Sequence, residues 1–259
     1  MILILTGGSS GIGAAAATLF AEKGYRVYEL SRSGKSHDGI VHINCDVTDE
    51  QQVQNAVAQV IEKEGRVDLL ISNAGFGISG AVEFTETADA KRQFDVNFFG
   101  ALNIVKAVLP HMRKQHSGRI VFTSSVAAVL SIPYQSFYSA SKSAINALAL
   151  ALRNEVSEFG ITVTALMPGD VSTGFTAARD KSLAGEEVYT HMRRAVEAME
   201  RDEQGGMTSE YLARQLYKVA RKSNPKPLYT AGAQYKVFVV LEKLLPKRLS
   251  NWIVGKLYS

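Results

Sequence analysis

With one cysteine, Cys45, in 259 residues, the chain has no means of forming an intrachain disulfide or a zinc site built on several thiolates. That scarcity suits a reducing compartment and makes the cytoplasm the expected location. No run of about eighteen apolar residues occurs, which argues against a transmembrane helix. The opening Met1–Gly7 run is too short for a signal peptide and lacks a basic lead and a small-residue cleavage site, so it reads as a first strand. Charge of one sign is also scarce. The 29 Lys and Arg against 25 Asp and Glu leave a net +4, and the basic residues are scattered, which disfavours nucleic acid as a partner. His37, His42, His111, His116 and His191 show no ligand spacing, so no catalytic metal is expected. No repeat or Pro/Gly/Ser linker divides the chain, and a single domain spanning residues 1–259 is the expectation.

What is present is a rhythm. Short β-branched runs alternate with longer helical patterns: Ile2–Thr6, Ala14–Lys23, Arg26–Ser31, Val53–Glu64, Asp68–Ser72, Lys91–Gln115, Arg119–Ser124, Ser141–Phe159 and Ile161–Met167. Strand, helix, strand in this order predicts βαβ units in an α/β fold with a doubly wound parallel sheet, its strands buried on both faces and therefore almost wholly apolar. Past Pro168 the stretch 169–206 is polar and breaks the rhythm, as an insertion covering a substrate pocket would. Ser209 then caps a helix through Arg221, and Pro227–Ala231 reads as a last strand.

The glycine-rich segment Thr6-Gly7-Gly8-Ser9-Ser10-Gly11-Ile12-Gly13 leaves the first strand and opens the first helix. There a chain with little side-chain bulk can bring backbone N–H groups against a pyrophosphate, which points to a dinucleotide. The position that reads the adenosine ribose lies at the end of strand two, roughly twenty residues on, where a carboxylate would accept from a free 2′-hydroxyl. Ser31 and Arg32 stand there instead, with no carboxylate to repel a 2′-phosphate and a guanidinium to grip it. NADP(H) is thus expected in preference to NAD(H). Glu29, two residues earlier on the same strand face, becomes the ribose acid if that register is short, and NAD(H) then fits.

Tyr138-Ser139-Ala140-Ser141-Lys142 sets a phenol and an ammonium four residues apart, one helical turn. A phenol ionises near pH 10, and a fixed positive charge beside it lowers that value, so the pair can carry a proton at neutrality. Together with Cys45-Asp46-Val47, Asn73-Ala74-Gly75, Asn97, Ser125 and Pro168-Gly169, these segments resemble the short-chain dehydrogenase/reductase family over nearly the whole chain to Met167 and the turn after it.

The resemblance implies roles. Tyr138 would protonate a carbonyl oxygen as hydride arrives from the nicotinamide, and Lys142 would lower the Tyr138 pKa and hold the nicotinamide ribose. Ser125, rather than its neighbour Ser124, would orient the carbonyl, and Asn97 would support a water linking Lys142 to solvent. Asp46 and Val47 would contact adenine, although Asp46 also reads as a helix-leading acid and Asn97 as a buried, satisfied amide. Asn73, Ala74 and Gly75 would pass over the adenosine ribose, and Pro168, Gly169, Val171 and Thr173 would hold the nicotinamide. The family usually carries a second asparagine where Ser72 stands, a departure that leaves the chemistry intact.

Phe98-Phe99-Gly100, Phe137 and the long insertion after Thr173 resemble family members acting on hydroxysteroids, retinoids and other lipid-like ketones. A 3-oxoacyl thioester reductase or a general carbonyl reductase is the alternative. The helices around Lys91–Gln115 and Ser141–Phe159 resemble those that build a homodimer or homotetramer in the family. Tyr235–Leu245 and Leu249–Tyr258 read as an amphipathic helix pair broken at Pro246, expected to dock on the domain or cover the pocket, with a membrane-surface foot as the competing reading. A dinucleotide-sensing regulator without turnover is the non-enzyme alternative, disfavoured because both Tyr138 and Lys142 are present. Epimerisation or dehydration on the same fold is a third possibility.

Overall fold

The computed structural model describes residues 1–258. The chain runs through β1 (Ile2–Thr6), α1 (Gly11–Glu22), β2 (Arg26–Ser31), β3 (Ile40–Asn44), α2 (Glu50–Glu64), β4 (Leu69–Ser72), β5 (Ile78–Ser79) and α3 (Thr87–Phe94). A wide π-helical turn, Asp95–Phe99, joins α3 to α4 (Gly100–Lys114), and β6 (Gly118–Thr123), α5 (Ser136–Glu155) and β7 (Ile161–Met167) follow. The rest holds β8 (Val171–Ser172), β9 (Asp180–Lys181), α6 (Met192–Gln204), β10 (Met207–Thr208), α7 (Ser209–Ala220), β11 (Leu228–Thr230), α8 (Ala233–Leu244) and α9 (Lys247–Leu257).

Seven strands form one sheet in the order β11-β7-β6-β4-β1-β2-β3, with every pairing parallel. This is the doubly wound α/β architecture that the alternation predicts. Successive side chains of a strand point to opposite faces, and β1 shows the consequence. Ile2 and Ile4 pack into one core with residues of α2, α4 and α5, whereas Leu3 and Leu5 pack into the other with residues of α1 and α7. A strand covered on both faces is therefore apolar along nearly its whole length.

Several boundaries differ from expectation for local reasons. Strand β3 is unanticipated because only Ile40 is fully buried on this edge, and His42 and Asn44 interrupt the apolar run. Helix α2 begins earlier, at Glu50, because Asp49 caps it by accepting from the Gln52 N–H at 3.0 Å. The single helix expected over Lys91–Gln115 is α3 and α4 joined by the π turn. Helix α5 starts at Ser136, which puts Tyr138 in its first turn. Thr208, not Ser209, caps α7, its Oγ1 accepting from the Tyr211 N–H at 3.2 Å. The polar stretch after Pro168 is itself ordered around α6, which buries Met192, Ala195, Val196, Met199 and Glu203 on one face.

Strand order reverses direction around β1, which lies between β4 and β2. Open parallel sheets bind ligands in the crevice beyond the carboxyl ends of the strands at such a switch point. Here those ends are Thr6 and Ser72.

Candidate active site

A cavity of about 590 Å³ opens at this switch point. Its wall begins with the glycine loop. Thr6 Oγ1 accepts from the Asn73 and Ala74 N–H groups at 3.0 and 3.1 Å, and Asn73 Nδ2 donates to the Gly7 carbonyl at 3.1 Å, which ties the loop to the end of β4. Gly7 and Gly11 take positive φ of 67° and 53°, a region open to glycine at little cost. Gly7, Ser9, Ser10, Gly11 and Ile12 line the cavity, but Gly13 does not. A Cβ on Gly13 would lie 2.0 Å from the Gly7 carbonyl oxygen, so this glycine lets α1 approach the loop. Helix α1 opens with no side-chain cap from Ser10, which leaves its first N–H groups available to an anion at the cavity wall. The loop therefore fits a pyrophosphate.

Ser31, Arg32 and Ser33 line the wall at the end of β2. Glu29 does not line it. It is buried beneath the loop, accepting from the Gly8 N–H at 2.9 Å with its other oxygen 2.6 Å from His42 Nδ1. Asp46 and Val47 line the cavity, and Asp46 accepts from the Thr48 N–H and hydroxyl at 2.9 and 2.7 Å. The helix-leading role considered for Asp46 falls to Asp49. Asn73, Ala74 and Gly75 line the cavity too, as do Pro168, Gly169, Val171 and Thr173.

At the far end the first two turns of α5 present Tyr138 and Lys142. Lys142 Nζ lies 5.7 Å from the Tyr138 ring centroid and donates to the Thr123 carbonyl at 2.9 Å. Burial pushes the Tyr138 phenol up to about 12, against the lowering effect of the Ser125 hydroxyl beside it; Glu203 and Asp170 add to the rise and Arg179 opposes it. Burial pulls the Lys142 ammonium down to about 8. The lowering of Tyr138 expected from Lys142 is not among these influences, and the ammonium is turned to Thr123. Both serines at the end of β6 reach the cavity. Ser124 donates to the Lys142 carbonyl at 3.3 Å, and Ser125 accepts from the Ala127 N–H at 3.1 Å.

Asn97 sits in the π turn, buried and outside the cavity wall. Its Oδ1 accepts from the Phe76 N–H and its Nδ2 donates to the Phe76 carbonyl, both at 3.0 Å, with a further bond to Ser141 Oγ at 3.1 Å. A Cβ on Gly75 would meet Asn97 Oδ1 at 3.0 Å and Lys142 Nζ at 3.5 Å, so the amide and the ammonium flank the same glycine.

Among the cavity residues outside the motifs are Asp170, Met199, Glu203 and Tyr258. Asp170 accepts from the Tyr235 hydroxyl at 2.5 Å, and burial raises its pKa. Glu203 pairs with the buried Arg179 and accepts from Thr176 Oγ1 at 2.5 Å. Met192, Ala195, Val196, Met199 and Glu203 recur at helical spacing, so α6 was legible in principle. Tyr258 reaches the cavity from the end of the last helix, which only the tertiary fold dictates.

Comparison with known proteins agrees with this arrangement. The short chain dehydrogenase family matches residues 1–184. The chain is 38% identical over 263 aligned positions to a 3-ketodihydrosphingosine reductase of Bacteroides thetaiotaomicron, covering 100% of this chain and 98% of that one. A short-chain dehydrogenase from Streptomyces avermitilis superposes with a TM-score of 0.85 at 28% identity, covering 98% and 96% of the two chains. ElxO with NADP bound superposes with a TM-score of 0.76 at 27% identity, covering 91% and 98%. Fold, cavity and relatives lead to one assignment: the chain belongs to the short-chain dehydrogenase/reductase family and is a nicotinamide-dinucleotide-dependent oxidoreductase.

Proposed function

We propose that this oxidoreductase uses NADPH to reduce a long-chain ketone bearing an amino group beside the carbonyl, as 3-ketodihydrosphingosine does. The observation that carries the reading is one continuous cavity with a phosphate-accepting loop at one end and Ser125, Tyr138 and Lys142 at the other. The full-length likeness to a 3-ketodihydrosphingosine reductase supports the substrate class. So do Phe175 and Met199, which offer apolar surface to an alkyl chain. In this reading residues 169–206 form the cover over the substrate.

When bound, reduced nicotinamide would supply the hydride for the carbonyl carbon. Ser125 donates a hydrogen bond to the carbonyl oxygen and fixes its direction, and the Tyr138 hydroxyl gives up its proton to that oxygen. Lys142 stabilises the phenolate left behind and holds the nicotinamide ribose. Asn97 fixes the Phe76 turn beside Gly75 and keeps open the route by which Lys142 recovers a proton from solvent. Gly7 to Ile12 bind the pyrophosphate, Asn73 to Gly75 pass over the adenosine ribose, Asp46 and Val47 contact adenine, and Pro168, Gly169, Val171 and Thr173 seat the nicotinamide.

Preference for NADP(H) rests on Arg32. It forms no ion pair among the described residues, and Glu29 is engaged beneath the loop and stands clear of the ribose position. The test is NADPH and NADH oxidation with 3-ketodihydrosphingosine, its N-acetylated analogue and an acetoacetyl thioester. Turnover is expected with NADPH and the free amine, weaker with the N-acetyl compound. In Arg32→Glu the KM for NADPH should rise at least tenfold, the equivalent of about 1.4 kcal/mol, with NADH little changed. Equal use of amine and thioester would overturn the substrate class, and an unchanged KM in Arg32→Glu would overturn the cofactor preference.

A further inference from the structure

Fifteen large apolar side chains are exposed among the described residues, and nine of them lie on α8 and α9. On α8 Val237, Val240, Leu241 and Leu244 form an i, i+3, i+4, i+7 stripe opposite the buried Tyr235 and Val239, with Phe238 flanking it. On α9, Leu249, Trp252, Ile253 and Leu257 are exposed at i, i+3, i+4 and i+8, beside the buried Ser250, and the helix is followed by Tyr258. Tyr235 and Val239 of α8 dock on the domain against Val126 and Met167, and Tyr258, at the end of α9, enters the active-site cavity. These outer side chains are left exposed among the described residues. Leu244 is 75% exposed and Trp252 is 58% exposed, values that a soluble surface does not concentrate in one place.

Charge tells what covers this face. Residues 233–258 hold five basic side chains, Lys236, Lys243, Lys247, Arg248 and Lys256, against the single acid Glu242. Their net +4 equals the formal charge of the entire chain. A second copy docking by the same face across a two-fold axis would set +4 against +4. An anionic lipid surface instead offers opposite charge to the lysines and acyl chains to the apolar stripes. No helix among the described residues is long and apolar enough to span a bilayer, so the contact is at the surface.

We infer that α8 and α9 form a foot that seats the enzyme on an anionic bilayer, with the active-site cavity opening beside the seated face. Tyr258 is the physical link, because the helix that carries the foot also ends in the cavity wall. The proposal stands apart from the substrate reading, since binding is read without turnover.

Trp252 is the only tryptophan in the chain, so its fluorescence reports on this face alone. With the full-length protein, vesicles of phosphatidylcholine containing phosphatidylglycerol should shift Trp252 emission to the blue and carry the protein upward on flotation. Pure phosphatidylcholine should do so at least tenfold less well, and high salt should weaken the effect. Val240→Glu/Leu244→Glu should lose flotation at least tenfold while NADPH oxidation with a water-soluble ketone stays at the wild-type rate. Lys236→Glu/Lys243→Glu should lose the preference for phosphatidylglycerol with an unchanged melting temperature. The inference is overturned if neither vesicle shifts Trp252, if the two vesicles bind equally, or if Val240→Glu/Leu244→Glu floats like wild type. A lipid-free dimer by sedimentation that shields Trp252 would assign the face to a second copy instead.

Discussion

Burial acts in opposite directions on the two ionisable groups at the heart of the site, holding Tyr138 near 12 and drawing Lys142 to about 8. Reduction consumes a proton, so it needs a neutral phenol and a charged ammonium. Tyr138 keeps its proton throughout the accessible range, whereas Lys142 loses its charge as pH rises through about 8. The kcat/KM for ketone reduction should therefore be level below that pH and fall about tenfold per unit above it. A pH–rate profile checks this, and a rate still rising above pH 9 would contradict it. That Tyr138, Lys142, Ser125 and the glycine loop would meet at one cavity was legible because each sits in a short local motif. Asp170, Glu203 and Tyr258 were not, because their significance comes from converging on one cavity out of distant parts of the chain.

At the scale of elements, the strand-to-helix turn after β1 is the least tolerant part of the molecule. A methyl group on Gly13 would meet the Gly7 carbonyl oxygen at 2.0 Å and Asn73 Nδ2 at 2.8 Å, and the backbone partner has no rotamer by which to yield. Gly13→Ala should cost roughly 1–3 kcal/mol of stability through overpacking and weaken dinucleotide binding by distorting the loop. Urea unfolding and NADPH titration check both effects, and a variant that matches wild type in each would show that the packing argument is wrong. The buried strands were readable because a sheet covered on both faces demands unbroken apolar runs. Strand β3 lies on an edge and escapes that demand. The π turn at Asp95–Phe99 left no mark in the apolar period, because its register change is absorbed by bonds from Asn97 to the Phe76 backbone. Helix α6 was obscured by its charged outer face, although its inner face keeps the period.

The whole molecule divides its labour along one cavity. The ends of β1, β2 and β4 line one part of it, β6 and α5 bring Ser125, Tyr138 and Lys142 to another, and α6 with the end of the last helix completes the wall; in the proposed reading these are the dinucleotide, proton-transfer and substrate parts. The alternating strands and helices foretold the sheet and its switch point, and hence where the cavity would open. They could not foretell that the chain would return at Tyr258 to complete the wall, since nothing local requires an amphipathic tail to end in a cleft. The central claim is that hydride moves to a ketone carbon while Tyr138 gives its proton to the oxygen. Its most direct test is a single turnover of 3-ketodihydrosphingosine with NADPH deuterated at the transferring position, comparing wild type with Tyr138→Phe. One deuterium should appear on the carbinol carbon of the product, and Tyr138→Phe should form that product at least a hundredfold more slowly. Product without deuterium, or a Tyr138→Phe rate equal to wild type, would contradict the account.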